Sequence, residues 1–99
     1  MIVVSPLNKD VSRGTTKRIK RIARNIVESS PLGTVFQANG LALKVQSVIG
    51  ELDISYFYES YDSRPQHTKG VTQVEYEMKD LELKGIVHRV GVRTWERIS

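Results

Sequence analysis

The sequence has no cysteine, a single tryptophan, two histidines, three prolines and no long apolar run. Without cysteine there is neither a disulfide framework nor a thiolate metal site. The longest apolar stretches span a few residues, far short of the twenty or so needed to cross a bilayer as a helix. The amino-terminal segment MIVVSPLNKD lacks a basic leader followed by an extended apolar region, so it does not read as a signal peptide, and a cytoplasmic location is expected. His67 and His88 lie far apart in the chain, with no partner residues spaced for metal binding or acid–base chemistry. Gly33, Gly40 and Gly50 do not have the spacing of a phosphate-cradling loop. The expectation is a non-enzymatic protein without a cofactor or a metal.

What is present is ordinary in amount and uneven in placement. Ninety-nine residues, 39% apolar and 26% charged, suit one soluble domain with a modest core. The formal net charge is +4. Residues 1–28 carry seven Lys/Arg against Asp10 and Glu28, or +5, while the remaining residues carry eight against nine acids, or −1. A basic block of this kind suits a polyanionic partner, nucleic acid first; the plainer reading is a solvated helix face.

Residues 1–14 read as an amino-terminal arm. Thr15 or Thr16 then caps a helix running to about Ser29, with Ile19, Ile22, Ala23, Ile26 and Val27 on one face. Lys17, Arg21 and Arg24 lie opposite that face and Arg18 and Lys20 flank it. Thr34-Val35-Phe36 forms a short strand with Val35 expected in the core, and residues 38–47 are expected as a helix with Ala38, Leu41, Ala42 and Val45 inward. Asn39-Gly40 between apolar runs competes as a hairpin turn. Residues 46–70 form an irregular insert or extra strands. Within it Leu52, Ile54, Tyr56 and Tyr58 fit a strand, while Ile54, Phe57, Tyr58 and Tyr61 fit a helix. Thr72 and Glu75 make a capping box for a helix 73–84, with Val74, Met78 and Leu81 as its apolar stripe and Gly85 as its stop. Two β-branched runs about Gly91 then read as a hairpin over 86–98.

The run Leu81-Glu82-x-Lys84-Gly85-Ile86-Val87-x-Arg89-Val90-Gly91, ending in an aromatic strand at Trp95, resembles winged helix-turn-helix domains. Gly33-Thr34-Val35-Phe36-x-Ala38-x-x-Leu41-Ala42 resembles the same family, in which a minimal strand leads directly into the second helix. The resemblance implies an α+β domain with a three-helix core and a carboxy-terminal β-hairpin, the wing. It also implies a DNA-binding transcriptional regulator whose third helix enters the major groove. Carried over by position, Thr72, Gln73, Tyr76 and Lys79 would face DNA with Arg89 and Arg93 on the wing, Gln73 being suited to adenine. Phosphate contacts would come from Lys17, Arg18, Lys20, Arg21 and Arg24.

Two departures keep other readings open. Helix 73–84 carries Glu75, Glu77, Asp80 and Glu82 against Lys79 and Lys84, or −2, which opposes entry into a phosphate-lined groove. Residues 46–70 exceed the short turn that usually joins helices two and three. The alternative fold is one amino-terminal amphipathic helix on a mainly antiparallel sheet. The alternative function is a protein-interaction module or small inhibitor, acting through Tyr56, Tyr58 and Tyr61 or the acidic helix face. Self-association as a homodimer is left open.

Overall fold

The computed structural model describes residues 4–50, 53–58 and 68–99, with residues 4–13 described as backbone only. Among these residues three α-helices pack with a three-stranded antiparallel sheet in the order α1 (Val4–Glu28), β1 (Val35–Gln37), α2 (Ala38–Val48), α3 (Lys69–Leu83), β2 (Val87–Gly91) and β3 (Thr94–Arg97). This is a small α+β domain, and the sheet-dominated alternative is excluded by the helices over 38–48 and 69–83.

Helix α1 starts at Val4, so the stretch read as an arm is helical through Gly14. Pro6 falls in the first turn, where its missing N–H has no helical partner to lose. Gly14 costs about 1 kcal/mol in a helix interior relative to alanine. Its bare backbone, however, receives the Arg18 side chain: a methyl carbon built there would sit 2.8 Å from one guanidinium nitrogen. The buried ridge of α1 is Thr15, Ile19, Ala23 and Val27, spaced by four, with Ile22 and Ile26 partly buried beside it.

At the strand the inward phase is shifted by one residue from the core expectation. Val35 is exposed and Phe36 is buried, paired in register with Trp95 of β3. Successive strand residues point to opposite faces, so only one of the two can enter the core, and the larger aromatic does. The sheet order is β1–β3–β2. In the hairpin the turn falls at Val92-Arg93, with an irregularity between Arg89 and Gly91, rather than at Gly91 itself.

Asn39-Gly40 belongs to the first turn of α2, not to a hairpin. Gln37 caps this helix through its side-chain oxygen, which accepts from the Gly40 N–H at 3.1 Å. Ala38, Leu41, Ala42 and Val45 are buried, as their spacing requires. Among the described residues of the connection to α3, Ile54–Phe57 form a 3-10 turn, where the pattern allowed a strand or a helix; Leu52 and Tyr61 of those patterns lie outside the described residues. Phe57 from this turn lies against the backbone of Gly70.

Helix α3 begins a turn earlier than expected. Thr68 is the cap, accepting from the Val71 N–H at 3.2 Å, while Thr72 lies inside the helix and donates its hydroxyl to the Thr68 carbonyl at 3.0 Å. The capping box read at Thr72 and Glu75 is therefore absent, because Lys69, Gly70 and Val71 extend the helix ahead of it. The other end follows the sequence. Gly85 has φ +77°, Ile86 N–H donates to the Leu81 carbonyl and Gly85 N–H to that of Glu82, both at 3.0 Å. These two bonds satisfy carbonyls that the helix end would leave unpaired. Val71, Val74, Met78 and Leu81 of α3 meet Ile19, Ala23, Leu41, Val45, Val87 and Trp95 in one core.

Candidate nucleic-acid interface

Helix α3 has three working sides. One supplies the core, a second carries Gln73, Glu77, Asp80 and Lys84, and a third carries the outward residues Thr72, Tyr76, Lys79 and Leu83. The second side lies along α1. There Lys17, Lys20, Arg21 and Arg24 from α1, Glu77 and Asp80 from α3 and Lys84 at its carboxy-terminal cap line one open channel of about 380 Å³. Five cations against two carboxylates give it +3 when both acids are ionised. Lys20 is engaged with Asp80 at 3.1 Å. Among the described residues, Lys17, Arg21, Arg24 and Lys84 have no carboxylate within ion-pair distance.

Glu77 sits in the wall of this channel with only 4% of its surface exposed. Its Oε2 has no hydrogen-bond partner among the described residues. Burial pushes its carboxyl above the ordinary value, against the pull of Arg24 and Lys20.

Arg18 does not join the other α1 cations. Its Nε and Nη2 grip the two oxygens of Asp53 at 2.6 and 2.7 Å, and the Thr15 hydroxyl donates to the same carboxylate at 2.5 Å. These bonds, the guanidinium's foremost, hold the buried Asp53 carboxyl below its usual value. Arg18 therefore ties α1 to the segment ahead of the 3-10 turn and is withdrawn from the phosphate set. The helical spacing alone placed it on the rim, because its partner lies 35 residues away.

The other expected DNA contacts divide in the same way. Gln73 is buried, so it cannot reach a base edge from this position. Arg93 adopts φ +51° and is fixed from three directions: Nε to Glu75 at 2.7 Å, Nη2 to Asn39 at 3.1 Å, and its carbonyl accepting from the Ala38 N–H at 2.9 Å. It joins the hairpin turn to α2 and α3 and is not a free wing cation. Thr72 is half-buried and bonded within its own helix. Tyr76 and Lys79 are outward-facing, the ammonium 5.9 Å from the ring centroid. Arg89 is exposed on β2, with Nε donating to the Gly91 carbonyl at 3.0 Å.

The acids of α3 do not form one outward face. Glu75 holds Arg93, Asp80 holds Lys20, Glu82 accepts from the Trp95 indole at 3.1 Å, and Glu77 is buried against α1. Of the four acids behind the −2 of this helix, Glu75 and Asp80 are thus each paired with a cation inside the domain. Lys84, Glu77 and Asp80 are channel residues that the sequence reading did not assign to it. Their spacing, at i, i+3 and i+7, carries that information once the helix is known to pack on α1.

The aromatic group is dispersed. Tyr56 packs partly buried against the core with Lys69 Nζ 5.7 Å from its ring centroid, Phe57 is inside, and Tyr58 is exposed with its hydroxyl 3.2 Å from Gln46 Nε2. Tyr61 lies outside the described residues. Among the described residues, no helix is long and apolar enough to cross a membrane. No protein-family model, curated protein or solved structure matches this chain.

Proposed function

We propose that this domain is a winged-helix-like, non-enzymatic binder of double-stranded DNA that acts in the cytoplasm as a small transcriptional regulator and grips the phosphate backbone through the α1/α3 channel. The observation that carries the reading is the gathering of Lys17, Arg21, Arg24 and Lys84 in one concavity without carboxylate partners among the described residues. Cations held this way are available to displace condensed counterions from DNA. The order of elements supports the family part of the proposal. β1 runs directly into α2, and α3 ends in a left-handed glycine followed at once by the β2–β3 hairpin. The span between α2 and α3 remains longer than the family's usual turn. Tyr76, Lys79 and Arg89 are the exposed residues left to approach bases or the neighbouring backbone.

Fluorescence anisotropy with a short mixed-sequence duplex at low salt tests the proposal. Arg21→Ala and Arg24→Ala should each weaken binding while Arg89→Ala changes it less. Unchanged affinity in both α1 variants would remove the channel from the account.

A second reading, a protein-interaction surface, draws on the exposure of Leu43, Val48 and Tyr58 beside a shallow apolar depression lined by Ala42, Leu43, Phe57 and Val71. A stoichiometric protein partner that survives nuclease and high salt, and is lost with Tyr58→Ala, would favour it over DNA binding.

A further inference from the structure

Glu77 is a buried carboxylate in the channel wall whose place no ion pair among the described residues explains. A carboxylate taken out of water is costly unless hydrogen bonds or an ion pair compensate it. Here, among the described residues, one oxygen has no hydrogen-bond partner and no cation stands within ion-pair distance. The charged groups facing it are Lys17, Lys20, Arg21 and Arg24 from α1, Asp80 from its own helix and Lys84 at that helix's cap. Asp80 is already neutralised by Lys20 at 3.1 Å. Glu77 therefore sets the last adjustable charge in the wall: the channel is +3 with it ionised and +4 with it neutral.

We propose that Glu77 makes the α1/α3 channel a proton-linked phosphate site, in which a nucleic-acid backbone binds more tightly to the protonated side chain and binding draws a proton onto it. The inference rests on the reading that this channel contacts phosphates, and adds the regulation of that contact. Two effects act in the same direction. A phosphate entering the channel brings negative charge toward a buried carboxylate, one oxygen of which has no hydrogen-bond partner among the described residues to hold its charge. The proton that neutralises Glu77 removes the repulsion and supplies an O–H donor where there was only an acceptor. Solvent provides the proton; no covalent step is involved. By reciprocity, a ligand that raises proton affinity must itself bind better as the proton concentration rises.

The test measures the affinity of the full chain for a short fluorescent duplex at fixed salt, from about pH 5 to about pH 8, above the ordinary carboxyl value. One-proton linkage limits the gain to about tenfold per pH unit. Wild type should bind more tightly as pH falls, and Glu77→Gln should bind at least as tightly as wild type at pH 8 with a flatter profile. Equal pH slopes in the two proteins would overturn the proposal, since the remaining titratable groups, His88 among them, are common to both. A measurement on the unmutated protein is independent of the variant's folding. The Glu77 side-chain carboxyl resonance, followed by NMR, should titrate at higher pH with duplex bound than without, and an unmoved titration would likewise refute coupling. If duplex does not bind at low salt, or Arg21→Ala and Arg24→Ala leave binding unaltered, the channel reading has failed. If the channel binds and only the Glu77 dependence is missing, the failure belongs to this inference alone.

Discussion

Gly70→Ala should destabilise this domain although it places the best helix former in a helix. Gly70 lies in the first turn of α3, and its φ is not in the left-handed region, so backbone strain plays no part. The obstacle is Phe57. A methyl carbon on Gly70 would lie 2.5 Å from Cδ1 and Cε1 of that ring and 2.8 Å from Cγ, well inside contact distance. The ring is only 7% exposed and is part of the core, so it cannot swing away without giving up burial. Forcing an extra methyl into a packed site costs about 1–3 kcal/mol. The gain in helix propensity is at most about 1 kcal/mol. The overlap with backbone-adjacent ring atoms puts the net loss at about 1–2 kcal/mol, or roughly 4–16 °C in Tm for a domain of this size. Urea unfolding followed by circular dichroism measures it.

The double-mutant cycle makes the reasoning falsifiable. In a Phe57→Ala background the obstacle is gone, and Gly70→Ala should become neutral or stabilising by up to about 1 kcal/mol. The sign of the substitution should therefore reverse with the background. A Gly70→Ala variant that is stabilised with Phe57 intact would mean that the 3-10 turn is not docked on the start of α3. The path of the chain between α2 and α3 would then be wrong.

The remaining predictions concern the sheet, the hairpin turn and two carboxyls. Phe36→Ala should cost about 3–5 kcal/mol whereas Val35→Lys stays within about 0.5 kcal/mol, measured by the same unfolding curves. Arg93→Ala, which frees Glu75 and Asn39, should cost about 1–2 kcal/mol, with Arg89→Ala near zero. The Asp53 carboxyl lies below its ordinary value because of Arg18 and Thr15, so the stability it contributes is present above the unfolded carboxyl value, about 3.9, and is lost as pH falls through the folded one. Asp53→Asn should thus be less stable than wild type at neutral pH, and the two should converge in acid. Glu77 has the opposite sign: its raised value penalises the fold at neutral pH and relieves it as pH falls, so Glu77→Gln should stabilise at pH 7 and lose that advantage in acid.

The helical periods were legible where one face is apolar. Ala38, Leu41, Ala42 and Val45 are buried as their spacing indicates, and Gly85 ends α3 in the left-handed conformation that its place after Lys84 announces. Helix starts were less legible. Thr68 and Thr72 are both competent caps, and which one acts depends on whether Gly70 is accepted into the helix, which Phe57 decides from elsewhere in the chain. The one-residue shift at Val35 and Phe36 has the same origin, since two adjacent apolar residues leave the inward phase to the partner strand. At the candidate site the sequence revealed the charge but not its allocation. Lys17, Lys20, Arg21 and Arg24 do converge, whereas Arg18 and Arg93 are consumed by Asp53, Glu75 and Asn39 across 35, 18 and 54 residues. No local pattern encodes pairings over such distances.

The most direct test of the account is the salt dependence of duplex binding. Each phosphate neutralised contributes about −0.9 to the slope of log affinity against log salt concentration on B-form DNA. Replacing both Arg21 and Arg24 by alanine should make the slope shallower by up to about 2. Arg18→Ala, which removes a cation already committed to Asp53, should lower stability and leave the slope where it was. A slope unchanged by the Arg21/Arg24 pair, or altered as much by Arg18→Ala, would contradict the assignment of the α1/α3 channel to the phosphate backbone.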